Sequence, residues 1–363
     1  MIGETGAAGP TMGKAAHGMQ LDHAHFVARV RQQVEARLRT WLDARVVEAR
    51  DRGAEVQAVA ESIRELTLRG GKRLRAVLLG ASYEACGGER GAEAVAAAGA
   101  ALELLQAYLL IHDDLMDGSE LRRGGPSVPA MMRKHFGGTR SDAMSVLAGD
   151  LACAWAQGLL LEVALPAERV AGAAHELARV HEDVVCGQVL DVGGGASDAR
   201  AVEAMHRLKT ASYTVRGPVA IGARLAGAVE AQVKALDAFA DPLGIAFQLR
   251  DDVLGTFGDP TATGKAATDD LREGKRTALV VEALRDARAA EALDRVLGRR
   301  DASDRDLREA IARIEASGAR DRVEARIAEL TREARAALER AGLTPAGRAL
   351  LEPTIESLTE RRI

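Results

Sequence analysis

Two long apolar runs with helical spacing each end in a block of aspartates. The first block is Asp113-Asp114-Leu115-Met116-Asp117 and the second is Asp251-Asp252. Carboxylates set side by side at the end of an apolar wall repel one another and lose hydration, so a cation must neutralise them. On a helix, Asp113 and Asp117 share a face and Asp114 is offset by about 100°. Gln106 lies two turns before Asp113 on that same face. Two such blocks in one chain predict two walls of one metal site. The donors are all oxygen. They suit hard divalent ions, above all magnesium, together with a ligand that brings phosphate oxygens, such as a diphosphate.

The rest of the chain reads as helix. Aromatic residues are only 3% while Ala, Leu, Arg and Glu abound, which favours helices over strands. Apolar residues recur at helical spacing through Phe26, Val30, Val34, Leu38, Trp41 and Leu42. The same periodicity predicts helices over 56–68, 73–85, 91–121, 141–164, 167–190, 201–215, 217–227, 230–255, 276–297, 303–316, 320–341 and 344–361. Glycine and proline clusters mark the loops. No stretch alternates in period two. The expected architecture is all-α: a tail over 1–20 and one helical domain over 21–363, with the charged helices of 300–363 as an appendage.

Composition removes several classes. The net charge is −4 and basic residues are dispersed among acidic ones, so no nucleic-acid partner is expected. Residues 1–20 lack the pattern of a signal peptide. The apolar stretch from Ala92 to Ile111 is interrupted by Glu93, Glu103 and Gln106, which predicts a buried core helix and no membrane span. Three cysteines without metal-ligand spacing read as thiols in a reducing, cytoplasmic setting.

Basic residues near the acidic blocks sharpen the chemistry. Arg122 and Arg123 follow the first block and lead into Gly124-Gly125; guanidinium forks match phosphate oxygens. Gly70-Gly71-Lys72-Arg73-Leu74-Arg75 pairs an anion-approachable loop with a helix start, and Lys72 and Arg75 share a face. Lys209-Thr210 followed by Tyr213 places a lysine and a hydroxyl in an otherwise buried helix, where both need partners. Gln248 and Asp252 share a face, but four residues after Asp251 stands Gly255, so a third carboxylate is missing there; Asp259 is a partial substitute. Lys265 and Lys275 lie in a glycine-rich segment suited to close over phosphates.

In this order the segments GGKRLR, DDLMD, LRRGG, Lys209-Thr210, FQLRDD and the two Gly-Lys pairs resemble the polyprenyl diphosphate synthases, most like the short-chain geranylgeranyl and farnesyl enzymes. The resemblance covers about 60–290. It implies a helical bundle around a deep central cavity, usually as a homodimer. It also implies a prenyltransferase: an allylic diphosphate ionises, the double bond of isopentenyl diphosphate attacks the cation, and a proton is lost, with the released diphosphate as its acceptor. Asp113, Asp114, Asp117, Asp251 and Asp252 would hold magnesium, three ions in all. Arg122, Lys209, Lys265 and Lys275 would bind the allylic diphosphate; Lys72, Arg75, Gln106 and Arg123 would bind isopentenyl diphosphate. Lys209, Thr210 and Gln248 would serve catalysis by flanking the cation. Many relatives carry His where Gln106 stands, and an amide can still donate to phosphate. Tyr108 and Leu109 would limit tail length, since Tyr108 lies about 7.5 Å down the helix axis from Asp113. Geranylgeranyl diphosphate is the favoured product and farnesyl diphosphate the next. The alternatives are a terpene cyclase, which the scarcity of aromatics and the second basic cluster oppose, and a non-catalytic subunit that binds prenyl diphosphates, which the intact acidic blocks oppose.

Overall fold

The helix that carries the first acidic block is the centre of the molecule. The computed structural model describes residues 11–89, 91–194, 196–258 and 268–360. In it α1 (Thr11–Arg50), α2 (Ala54–Leu68) and α3 (Leu74–Ala85) surround α4 (Ala92–Asp117). Alanine and leucine dominate α4, and nearly every side chain from Ala94 to Leu105 is buried. It is long and apolar enough to cross a membrane, yet its apolar window is 83% buried inside the fold, as a core helix requires. It stops at Gly118, four residues or so before the expected end, because Gly118 takes the left-handed conformation and closes the helix with N–H donation to the Asp114 carbonyl.

A short hairpin then re-aims the chain. Strands β1 (Leu121–Arg122) and β2 (Gly125–Pro126) pair antiparallel around Arg123 and Gly124, both at positive φ, as two-residue hairpin turns demand. Arg69 locks it, donating to the carbonyls of Arg122 (2.9 Å) and Pro126 (2.7 Å). A helix that periodicity missed follows, α5 (Val128–Phe136), too short for a periodic signal but capped by the Ser127 hydroxyl. Next come α6 (Arg140–Leu161), α7 (Ala167–Val192) and α8 (Ala199–His206).

The segment expected as one α-helix over 201–215 changes pitch midway. Residues Arg207–Arg216 form a π-helix, followed by α9 (Gly217–Ala226). Gly217 N–H bonds the Ser212 carbonyl five residues back, and Pro218 has no N–H to continue the α register. The wide turn fits because two glycines face it. A Cβ on Gly187 would lie 2.3 Å from the Lys209 nitrogen, and one on Gly244 would lie 2.5 Å from the Ala211 Cβ.

The second acidic block sits on α10 (Glu230–Phe257), followed after the undescribed stretch by α11 (Asp269–Glu273). The single helix expected over 276–297 is two, α12 (Ala278–Ala283) and α13 (Ala287–Asp294), because Asp286 caps a new helix start. Then come α14 (Asp304–Ala316), α15 (Ala319–Arg340) and α16 (Pro345–Thr359). Side chains of these last helices reach the core. Leu330 and Ile327 join one core cluster, while Ala334, Leu338, Leu351 and Ile355 join the larger one with residues of α1–α7, α9 and α10. Arg250, beside Asp251, ties α10 to both: Nε donates to the Thr359 carbonyl at 2.7 Å and the guanidinium fork grips Glu324 at 2.6 and 2.7 Å. Of the tail expected over 1–20, residues 1–10 lie outside the described residues, and the rest carry helical backbone at the start of α1.

Candidate active site

A 510 Å³ cavity opens between α4, α7 and the π-helix, a volume within the roughly 300–1,000 Å³ usual for small-molecule sites. Its rim is charged and its wall apolar. Asp113, Gln188, Lys209 and Thr210 line one part; Tyr108, Leu109, Val184, Val189 and Tyr213 line the rest. The π-helix therefore delivers Lys209, Thr210 and Tyr213 to one surface, in keeping with the association of such turns with functional sites.

The three aspartates of the first block have different surroundings. Asp113 lies 3.6 Å from Lys209 Nζ and 3.4 Å from Gln188 Nε2. Asp117 is paired with Lys275 Nζ at 3.0 Å, a residue from the far side of the sequence. Burial and then the Asp113 charge push the Asp117 carboxyl above its ordinary value. Asp114, expected as a metal ligand, points away into the protein. It is fully buried, and Arg122 grips its Oδ1 through Nε (2.8 Å) and a second guanidinium nitrogen. Arg122, expected on the allylic diphosphate, is thus first a partner of Asp114, with Asp113 at 3.6 Å. The offset of about 100° between neighbours on a helix is the reason: two residues four apart share the cleft face, and the residue between them turns inward.

The second block divides in the same way. Asp251 is half-buried. Asp252 is buried, accepts from Gln248 Nε2 at 2.8 Å and from the Ala278 N–H at 3.3 Å, and lies 3.5 Å from His206 Nε2. Burial, reinforced by the Asp270 and Asp191 charges, pushes its carboxyl up to about 7. Gln248, expected to flank a cation, is therefore engaged with Asp252. At Gly255, where a third carboxylate is missing, an added Cβ would lie 3.3 Å from Asp270 Oδ2. An acid from α11 occupies that space. Asp259 and Lys265 lie outside the described residues.

Two lysines tie the first block to acids elsewhere in the chain. Lys275 bridges Asp117 and Glu273 (2.7 Å); burial alone would lower its ammonium, but these two carboxylates outweigh it and hold it above the ordinary value. Lys209 lies against Asp191 as well as Asp113, and the same balance raises it. Among the described residues no three acidic, histidine or cysteine side chains form a closed metal cage. Magnesium takes one or two carboxylates and fills its octahedron with water and phosphate oxygen, and Asp113 and Asp117 on one helix face are oxygen donors of that kind. The raised Asp117 carboxyl fits magnesium too, because a cation between it and Asp113 removes their repulsion.

A second basic cluster lies beyond the hairpin. Arg123, at φ 53, is 4.0 Å from the position of a Cβ on Gly71. Burial, with the charges of Arg73, Arg75 and Arg122, pushes Arg123 below the ordinary arginine value despite Glu103. Crowded guanidinium groups of this kind suit an anion. Arg75 is buried, donates to Thr214 Oγ1 at 2.9 Å and lies 4.2 Å over the Tyr213 ring. Lys72 is exposed at the loop tip, and Gln106 is half-buried on α4. Arg73, itself at φ 48, anchors the loop through Glu103 at 2.7 Å and the Thr67 carbonyl at 2.9 Å.

Sequence reasoning missed Gln188, Asp191 and His206. A signal was present for Gln188: it is a polar residue in the apolar run Val184-Val185…Val189-Leu190.

A helical bundle in which Asp113 and Lys209 line an otherwise largely apolar cavity suits an enzyme that handles a diphosphate. Comparison with known proteins gives the family. A polyprenyl synthetase family model matches residues 56–314. The crystal structure of geranylgeranyl pyrophosphate synthase from Corynebacterium glutamicum, complexed with isoprenyl diphosphate and magnesium, superposes with a TM-score of 0.86 at 36% identity, covering 93% of this chain and 99% of that one. Geranylfarnesyl diphosphate synthase of Aeropyrum pernix is 34% identical over 80% of this chain and 91% of its own length. Nonaprenyl diphosphate synthase of Mycobacterium tuberculosis is 30% identical over 92% of this chain and 94% of its own. The chain belongs to the polyprenyl synthetase family and is a prenyltransferase.

Proposed function

We propose that this protein condenses isopentenyl diphosphate head to tail with an allylic diphosphate, giving a short-chain polyprenyl diphosphate. Geranylgeranyl diphosphate is the favoured product and farnesyl diphosphate the next. The observation that carries the reading is the charged mouth of the apolar cavity, where Asp113 and Lys209 stand above Tyr108 and Leu109. Asp113 and Asp117 on one wall and Asp251 on the other are the magnesium ligands; Asp114 and Asp252 act from behind them, held by Arg122 and by Gln248. Three magnesium ions are expected. Bound there, magnesium supplies Lewis-acid stabilisation of the charge on the leaving diphosphate.

The chain's own residues do the rest. Lys209 and Lys275, with Lys265, hold the allylic diphosphate, and Arg122 adds its charge from the Asp114 side. Arg75 and Arg123, with Lys72 and Gln106, hold isopentenyl diphosphate across the cleft. Thr210 offers an oxygen dipole to the cation but no strong nucleophile, and the apolar wall excludes water that would trap it. The relatives' names span products of several lengths, so product length here is argued from the cavity. Tyr108 projects into it from α4, with Leu109 beside it.

The protein acts as a homodimer in the cytoplasm. Large apolar side chains stand exposed on α6 (Val146, Leu147, Leu161), which suits contact with a second copy. All three cysteines are free. The test is incubation of purified protein with magnesium, isopentenyl diphosphate and each short allylic diphosphate, followed by measurement of product length. Hydrocarbon release from geranylgeranyl diphosphate alone, or no turnover with any starter, refutes the synthase reading. Tyr108→Ala is expected to lengthen the product; an unchanged spectrum removes Tyr108 as the floor.

A further inference from the structure

Tyr108 is tied into its position by a chain of side chains that crosses three helices. Its hydroxyl lies 3.0 Å from His181 Nε2 on α7. The other ring nitrogen of His181 lies 3.8 Å from Cys153 Sγ on α6, which accepts from Gln157 Nε2 at 3.5 Å. The rings of His112 and His181 meet the Tyr108 ring edge-on, at centroid distances of 4.9 and 5.1 Å. Tyr108 and Cys153 are buried and His181 is half-buried. Burial pushes the Tyr108 phenol up to about 12, so it keeps its proton; burial and then the His112 charge lower His181. A neutral imidazole has one donor and one acceptor nitrogen, so both ends of the His181 ring are engaged in either tautomer. A tyrosine ring pivots about two torsions. Nothing in the apolar cavity wall can fix that pivot as a directed hydrogen bond to the hydroxyl can.

We propose that His181 is a specificity-determining positioning residue: by bonding the Tyr108 hydroxyl it holds the ring across the cavity and thereby sets the length of tail the cavity admits. The inference rests on the synthase reading and on Tyr108 as the floor.

The test compares full-length His181→Leu, His181→Gln, Tyr108→Ala and the His181→Leu/Tyr108→Ala double variant, with magnesium, isopentenyl diphosphate and farnesyl diphosphate, scoring product length. The readout independent of activity is the ring ¹³C signal of Tyr108, one of only three tyrosines and assignable with Tyr108→Phe. His181→Leu should raise the ratio of longer to shorter product roughly two- to tenfold, the factor one neutral hydrogen bond controls, and should shift the Tyr108 signal. His181→Gln, whose amide still reaches the hydroxyl, should restore both. The double variant should go no further than Tyr108→Ala. Should His181→Leu not fold, His181→Asn, too short to reach the hydroxyl, takes its place. A longer product in Tyr108→Ala with no change in the histidine variant overturns the role of His181 and leaves the synthase reading standing. No lengthening in Tyr108→Ala removes the floor, and this inference with it. No condensation by the unaltered protein overturns the synthase reading itself.

Discussion

Replacing Arg122 by methionine separates two roles for that residue. If it acts first as a diphosphate ligand, its loss weakens substrate binding and leaves the fold alone. The structure supports a different order of importance. Asp114 is fully buried, and both guanidinium contacts to it come from Arg122. Removing one member of a buried pair takes a compensating charge from the other and costs about 3–5 kcal/mol. Against the roughly 5–15 kcal/mol that typically separates folded from unfolded states, that loss is large. Arg122→Met should therefore unfold at much lower urea, measured by circular dichroism at one fixed protein concentration without magnesium. Adding Asp114→Asn removes the under-compensated charge and should recover much of the loss, so the two changes are non-additive. A midpoint within about 1 kcal/mol of the parent for Arg122→Met, with only the KM for the allylic diphosphate raised, would refute this reasoning.

Other expectations concern the metal walls. Asp113→Ala and Asp251→Ala should each lower turnover about 10³-fold or more at saturating magnesium while the helical circular dichroism survives; near-normal rates in either refute the two-wall site. The raised Asp117 carboxyl holds its proton at a pH where an ordinary aspartate has lost it, so magnesium binding should weaken as pH falls through that raised value. Asp113→Asn removes one cause of the rise and should move this acid limb to lower pH, whereas Lys275→Met removes a counter-charge and should move it higher; calorimetric magnesium titrations in which neither limb moves contradict the assignment. Asp270→Asn should raise the half-saturating magnesium concentration about tenfold, and Gly255→Asp added to it should restore the value. A double variant as weak as Asp270→Asn alone shows that Asp270 does not fill the space beside Gly255 as an acid.

Much of the architecture was legible because helices announce themselves through spacing. The face of α1 through Phe26, Val30, Val34 and Leu38 is buried as its period demanded. What escaped the sequence depends on particular backbone atoms. No periodicity signals that Pro218 withholds an N–H and that Gly187 and Gly244 leave room for a π-helix beside it. No propensity signals that Arg123 adopts a glycine-like φ because Arg69 clamps the hairpin around it. Residue type located the site's acids but could not rank them. Asp114 and Asp252 stand beside Asp113 and Asp251 in sequence, and only the turn of each helix tells which carboxylate meets the cleft.

The pairing across the cleft also says how the site can discriminate its ligands. The carboxylates assigned to magnesium are bonded to the ammonium groups assigned to the allylic diphosphate: Asp113 to Lys209, and Asp117 to Lys275. A metal ion alone competes with the lysines for the aspartates and leaves each lysine one carboxylate fewer, with Asp191 for Lys209 and Glu273 for Lys275. A diphosphate alone competes with the aspartates for the lysines and leaves Asp113 beside the raised Asp117 carboxyl with less positive charge between them. A magnesium diphosphate replaces both halves of each pair at once, cation to carboxylate and phosphate oxygen to ammonium. Its binding thus avoids the loss of charge pairing that either component incurs alone. Metal and diphosphate affinities are then coupled, and linkage makes the coupling equal in both directions. The same lysines that neutralise the aspartates therefore select for the metal-complexed substrate.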